Sequence, residues 1–465
     1  MMRKSLKWLP AMAAALLMIM AGVGIARIFC VAQVALAGVS TQEAKSMSVA
    51  YDRAACAAED YNNNTYYGSY AILNTPQWVD RNGIQVDGRS DVFKNLLGTY
   101  SGFDTLYLGD EVVKQPDMEE QFHLLTGTKR ADSAYKEIDL TLDSKLQEDL
   151  YGFLENQQIR GSITVTQAST GEILACVSHT LEGQEKWLSQ SQNQCLRLVS
   201  PGSTMKVVSL LVLEALGADL DEGYTCTGAF TELDGITITD SGVHGYVKNA
   251  DAAIAYSCNC YFAHKLSAYS TAEVAAAMEK LGIRTDGKWA FQHTAEGARY
   301  RQSTMSFGSD WSFESLFSMI GETAVLMSPL QMCNIISAIG TEGQGEQGHF
   351  LSTTQAEPLT TGWPEALASD GIRDVGYRMR NAREDYLTIG FDDRITMMKT
   401  GTTEFDSGHT LAGRRLLAYS ESLDIAFYFV WDNWKEYGSV SSEMTLQDAS
   451  TKIIDMIAAA ESEVG

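Results

Sequence analysis

Apolar and polar positions change rhythm several times along this chain. The first apolar run, residues 8–26, holds 19 uncharged residues and is about long enough to cross a bilayer as a helix. Residues 40–134 then turn polar and aromatic. Turn signals at Asn62-Asn63-Asn64, Arg81-Asn82-Gly83 and Asp87-Gly88 predict a small module of short strands there. Strand-like runs at 162–167 and 173–178 flank the turn Ser169-Thr170-Gly171 and read as a hairpin. Residues 205–216 are apolar nearly all round and stop at Gly217, the pattern of a helix buried on every side. A shorter helix-like stretch, 252–256, follows within a largely helical middle. Strand patterns return at 394–399, 415–419 and 424–431, and a last helix is expected over 450–460, with Ile453, Ile454 and Ile457 on one face. Residues 341–393, Gly-rich and polar at first, fit neither rhythm and read as an insertion. The whole predicts an α/β (α+β) domain at 135–465, an antiparallel sheet built from both of its ends with the helical middle packed on it. A tail (1–7), an anchor (8–30) and the small module (40–134) precede it.

Charge narrows the setting. A formal net charge of −24 argues against nucleic acid as a partner. Arg3, Lys4 and Lys7 precede the apolar run, so the N-terminus is expected in the cytoplasm and the rest outside a cell membrane crossed once. The alternative is a cleaved signal peptide, since Ala35-Leu36-Ala37 before Gly38 resembles a small-residue cleavage site; the run exceeds the about 7–15 residues of a signal core, which favours a retained anchor. Eight cysteines stand at 30, 56, 176, 195, 226, 258, 260 and 333 with no C-x-x-C pair, so neither a zinc site nor a redox motif is suggested. Reduced thiols and a loop disulfide involving Cys226 both remain open.

Three short motifs carry the chemistry, in the order Ser203-Thr204-Met205-Lys206, Ser257-Cys258-Asn259 and Lys399-Thr400-Gly401. Each alone is weak: Ser133-Ala134-Tyr135-Lys136 and Ser191-Gln192-Asn193 match the first two patterns elsewhere. Ser203 differs by its setting, after Pro201-Gly202 and at the head of the buried-type helix. Side chains three apart on a helix are neighbours, so the Lys206 amine can reach the Ser203 hydroxyl. An amine held among apolar residues has its charged form disfavoured and can take the serine proton. Ser257 offers a hydroxyl to a proton relay, and Asn259 a carboxamide to a substrate peptide group. Lys399 can meet a carboxylate, while Gly401 leaves room for a ligand to approach the backbone. In sequence order these are the parts for acyl transfer through a serine ester. A helix cap with a snorkelling lysine, a polar turn and a plain strand end are the bland readings of the same residues.

At these residues the chain resembles the transpeptidase domain of penicillin-binding proteins, especially the monofunctional class B group. The resemblance covers about residues 135–465. It is carried by Thr141-Leu142-Asp143-Ser144-Lys145-Leu146-Gln147, Ser169-Thr170-Gly171-Glu172-Ile173-Leu174-Ala175, Pro201 to Lys206, Ser257 to Phe262, Ser328 to Met332 and Lys399 to Glu404, with Met205 where phenylalanine is usual. Arg81-Asn82-Gly83 is similar to a motif of the family's non-catalytic pedestal. The resemblance implies a serine-type D-Ala-D-Ala transpeptidase that cross-links peptidoglycan stem peptides and is acylated by β-lactams. Ser203 would be the nucleophile, Lys206 its base and Ser257 a relay to the leaving amine. Asn259 would hold the donor peptide, Lys399, Thr400 and Thr402 its terminal carboxylate beside Gly401, and the Ser203 and Thr402 amides would form the oxyanion hole. No cofactor or metal is implied. A polytopic membrane glycan polymerase of the shape, elongation, division and sporulation class is implied as partner, with Ala11-Met12-Ala13-Ala14-Ala15 and Ala21-Gly22-Val23-Gly24 offering small residues for helix contact.

Two segments depart from the family pattern: Ile320-Gly321-Glu322-Thr323, and the stretch near Thr410-Leu411-Ala412-Gly413, where an aromatic pair is missing. The resemblance implies that these changes touch the acceptor side and the groove edge. A β-lactam-hydrolysing enzyme and a penicillin sensor or non-catalytic scaffold are the rival functions. The first would need a deacylating water, and no Glu-x-x-Leu-Asn element lies between Ser257 and Lys399; a sensor would need more than a seven-residue cytoplasmic tail, and a degenerate scaffold would be expected to lose Ser203, Lys206 or Lys399. His244, Glu404 and Asp406 read as structural or solvated residues, and Met397 and Met398 as strand packing.

Overall fold

The computed structural model describes residues 77–88, 90–93, 96–97, 106–108, 111–114, 137–181, 193–288, 291–293, 299–404, 412–435 and 444–464. The tail, the apolar run at 8–26, most of the 40–134 module and the Ser133 decoy lie outside these residues. Among the described residues no helix is long and apolar enough to cross a membrane.

The described elements used below are, in chain order, α1 (Ser144–Asn156), β1 (Gly161–Gln167), β2 (Ile173–His179), α2 (Met205–Ala215), α3 (Ala250–Tyr256), α4 (Asn259–Ser267), α5 (Pro329–Gly340), α6 (Ile372–Thr388), β3 (Met397–Glu404), β4 (Ala412–Ser420), β5 (Ile425–Lys435) and α7 (Leu446–Val464). The five strands form one antiparallel sheet in the order β3-β4-β5-β1-β2, so both ends of the domain build it, as expected. Two-residue alternation sorts its side chains between two cores. Ala426, Tyr428 and Val430 of β5 join the helical middle, whereas Ile425, Phe427, Phe429 and Trp431 face α1 and α7. In β3 the same alternation sends Met397 to the middle and Met398 to the terminal helices, packing roles that agree with the sequence reading. Lys399, two residues after Met397, lies on the helical side, toward the head of α2.

Helix α2 is central. Every residue from Met205 to Leu213 is buried, which explains an apolar pattern with no polar face, and Gly217 at φ +72° follows its end. Three element boundaries differ from expectation. β3 does not end at Lys399 but continues to Glu404, because Thr400, Thr402 and Thr403 are β-branched and pair with β4 through Gly401, opposite Arg415. The final helix is longer at both ends, spanning Leu446–Val464. The segment read as an insertion contains α6, whose Ile372, Val375, Met379 and Ala382 belong to the central core. Only its first part, 341–371, is mostly irregular.

The strand Gln77–Val79 pairs in parallel with Glu137–Asp139 and antiparallel with Gln85–Val86. Trp78, Phe93 and Leu97 share a core with Leu142, Ile173 and Phe350. Arg81 lies 3.1 Å from Glu461 and 3.8 Å from Glu172, and Asn82 Nδ2 donates to Asp143 Oδ2 at 2.9 Å. Arg81-Asn82-Gly83 therefore ties the early chain to α7 and to the head of α1.

Candidate active site

The turn that carries Ser203 is built by close backbone contact. Gly202–Thr204 forms one 3₁₀ turn that leads into α2, with Gly202 at φ +54°. A Cβ on Gly202 would stand 2.5 Å from Thr402 O, and one on Gly401 would stand 2.9 Å from Pro201 O and 3.2 Å from Ser203 N. A Cβ on Gly321, at φ +108°, would stand 1.7 Å from Gly202 O. Three glycines thus let the turn, β3 and the 320–323 segment press together, and only glycine satisfies both the space and the left-handed backbone at Gly321. Thr204 Oγ1 donates to Pro201 O at 2.7 Å and lies 3.1 Å from Tyr428 Oη, while Arg415 Nε donates to Ser200 O at 2.9 Å and Nη2 lies 2.7 Å from Asp432.

Lys206 reaches Ser203 as the helical spacing predicted, and Ser257 lies beside the same amine. Lys206 Nζ lies 2.6 Å from Ser203 Oγ and 3.3 Å from Ser257 Oγ. Lys206 is 0% exposed, and burial first, then the charge of Lys399, push its amine down to about 7; Asp240, Cys258 and Glu322 pull the other way. A substantial neutral fraction at neutral pH follows. Ser257 follows α3 in the left-handed region at φ +56°, a conformation that costs a non-glycine residue roughly 1–3 kcal/mol and that directs its hydroxyl to Lys206. Asn259 opens α4, and its Nδ2 donates to Thr239 O at 2.9 Å.

Lys399 is also wholly buried, and burial pushes it down to about 7; its Nζ donates to Thr400 O at 2.9 Å and to Tyr386 Oη at 3.2 Å. Thr402 Oγ1 accepts from Arg414 Nη1. β3 is the sheet's edge, so Lys399, Thr400, Gly401 and Thr402 border a strand whose outer backbone groups can pair with an extended ligand. Sequence reading missed Tyr386, Arg414, Arg415, Thr204 and Tyr428. Register could have pointed to Arg414, which stands directly across from Thr402. The arrangement offers a hydroxyl beside a neutral amine, a second hydroxyl on that amine, and a cation beyond, which suits acyl transfer.

Residues 161–447 match the family model of the penicillin binding protein transpeptidase domain. Among solved structures, PBPA from Mycobacterium tuberculosis is similar, with TM-score 0.61 at 17% identity over 83% of this chain and 99% of that one. The ceftriaxone acyl-enzyme of penicillin-binding protein A from M. tuberculosis gives 0.60 at 17% over 84% and 99%, and its penicillin G acyl-enzyme 0.60 at 17% over 83% and 99%. At this identity the likeness is one of fold.

Proposed function

The chain belongs to the penicillin-binding protein transpeptidase family, a penicillin-binding D,D-transpeptidase and serine acyltransferase, and from that premise we propose that its donor is a peptidoglycan stem peptide ending in D-Ala-D-Ala. The observation that carries the mechanism is the buried Lys206 amine 2.6 Å from Ser203 Oγ. Neutral Lys206 takes the hydroxyl proton as Ser203 attacks the donor carbonyl. The developing oxyanion meets the backbone amides of Ser203 and Thr402, groups fixed before the reaction begins. Ser257, hydrogen-bonded to Lys206, passes the proton to the leaving D-alanine amine, while Asn259 holds the donor backbone. Lys399 in its charged form, with Thr400 and Thr402, receives the terminal carboxylate, and Gly401 keeps the strand edge clear. The amine of a second stem peptide then attacks the ester and restores Ser203.

The acyl-enzyme complexes of the similar mycobacterial protein support the same attachment of a β-lactam here. The basic residues before the apolar run at 8–26 support a single-pass anchor with the catalytic domain outside the cell membrane. The small residues within that run support pairing with a polytopic glycan polymerase. A pulse of labelled penicillin followed by excess unlabelled drug tests the acyltransferase reading against a hydrolase. The adduct should persist for many minutes to hours, and turnover of many molecules per second would overturn the proposal.

A further inference from the structure

Beside the Ser257-Cys258-Asn259 motif lies a second cluster that the acyl-transfer scheme does not use. Cys226, Asp240, His244 and Cys258 each direct one ligand-type atom into a space where all four lie within 4.8 Å of one another. The four come from different places: the end of the strand Tyr224–Cys226, the residue after the strand Ile238–Thr239, the residue before the strand Gly245–Val247, and the N-cap of α4. Cys226 Sγ is 3.6 Å from Asp240 Oδ2, and His244 Nδ1 is 3.5 Å from the same oxygen. Ligands bound at about 2.0–2.3 Å around one tetrahedral ion stand about 3.3–3.8 Å apart. These two separations already fall in that range. The site is also largely shielded from solvent, with both cysteines buried and the Asp240 and His244 side chains 1% and 18% exposed. His244 Nδ1 is buried without a hydrogen bond, a costly condition that a coordinated cation would relieve.

The geometry points to a zinc site formed by Cys226, Asp240, His244 and Cys258. Two sulfurs, an imidazole and a carboxylate suit zinc and disfavour magnesium or calcium, which take oxygen ligands. Four protein ligands complete the tetrahedron, so the ion is structural and activates no water. Each thiol gives its proton to solvent as it joins the ion, and the sulfurs undergo no change of oxidation state. The supporting contacts are built: the Ser241 N–H donates to Asp240 Oδ1 at 2.8 Å, the Cys260 N–H to Oδ2 at 3.3 Å, and the Tyr261 N–H to Cys258 Sγ at 3.4 Å.

Position gives the site its consequence. Cys258 stands between Ser257 and Asn259, and the His244 ring stacks on Tyr256 with centroids 5.8 Å apart. The ion ties the turn that holds the Ser257 hydroxyl and the Asn259 carboxamide to three neighbouring segments. It is a positioning device next to the site, held by residues that touch no reacting atom.

The test is metal content and cobalt spectroscopy on the purified full chain. After stripping with a chelator, equilibration with zinc sulfate and exhaustive dialysis, close to one zinc per chain should remain, undisturbed by excess magnesium. Cobalt chloride in place of zinc should give the strong visible bands of tetrahedral cobalt and a sulfur-to-cobalt charge-transfer band. Cys226→Ser and His244→Gln should each weaken zinc affinity by at least about 100-fold, judged by competition with a chromophoric chelator. Comparing the metal-free unfolding midpoints of His244→Gln and the unaltered chain separates loss of a ligand from loss of the fold, and the cobalt spectrum of the unaltered chain decides without any variant. A chain that binds neither zinc nor cobalt, affinity unchanged in both variants, or an intact mass and peptide map showing a Cys226–Cys258 disulfide would overturn the site.

Discussion

Lys206 and Lys399 both sit out of reach of water, and burial pushes each amine down to about 7 from an ordinary value near 10.5. The proposed reaction needs them in opposite states: Lys206 neutral to accept a proton, Lys399 charged to meet a carboxylate. Below about pH 7 both are protonated and the base is lost; well above it both are neutral and the carboxylate is held weakly. Acylation by penicillin should therefore follow a bell with its maximum near neutrality, its two limbs belonging to the interacting pair. Stopped-flow acylation across pH checks this, and a flat profile would contradict it. Lys206→Arg keeps a charge that does not dissociate at working pH, so acylation should fall by about 100-fold or more. Gly321 makes a different kind of contribution. At φ +108°, with Gly202 O 1.7 Å from any added Cβ, Gly321→Ala forces the Ser203 turn to move; stability should drop by roughly 1–3 kcal/mol in denaturant melts and acylation with it. Ser203, Lys206 and Ser257 were legible because helical spacing and motif order fix their meeting, whereas Gly321 was visible only as a departure, since its contact is with backbone far away in sequence.

At the scale of elements, α6 holds the two halves of the site in relation. Arg378 bonds Asp374, Asp221 and Asp251 at 2.6, 2.9 and 3.2 Å, joining α6 to α3 and to the loop after α2. Asp221 is 80% exposed, so its share is small, but Asp251 is 12% exposed and would be left as an unpaired charge. Arg378→Met should cost about 2–4 kcal/mol by urea denaturation, with no loss expected if the pairs were only surface contacts. In the last turn of the same helix, Tyr386 carries a hydroxyl 3.2 Å from Lys399 Nζ. Tyr386→Phe should reduce acylation roughly tenfold, with the unfolding midpoint little changed. The apolar stripe of this helix, Ile372, Val375, Met379, Ala382 and Tyr386, does have helical spacing. It was masked by Gly376, by the Gly-rich stretch before it and by charges whose partners lie in other elements. The sheet was easier, because strands buried on both faces are rich in Ile, Val and aromatic residues; β3 ran past its expected end because Thr-Gly-Thr reads equally as turn and as strand.

For the whole molecule, sequence alone carried the topology, with strands from both ends of the domain around a helical middle, because each end announces itself by alternation. It could not show the four-ligand cluster, since Cys226, Asp240, His244 and Cys258 match no linear metal motif and converge only in the folded chain. The single-pass reading makes its own prediction: the full chain should sediment with membranes and resist salt and alkaline wash, while a variant lacking residues 1–39 should be released. Recovery of the full chain in the soluble fraction would remove the anchor. The central claim is that one buried helix head, Ser203 with Lys206 2.6 Å away, performs the acylation. The most direct measurement is peptide mapping by mass spectrometry of the full chain after labelled penicillin: one adduct is expected, on the peptide carrying Ser203, and none in Ser203→Ala, whereas label on another residue or label that survives in that variant would contradict the account.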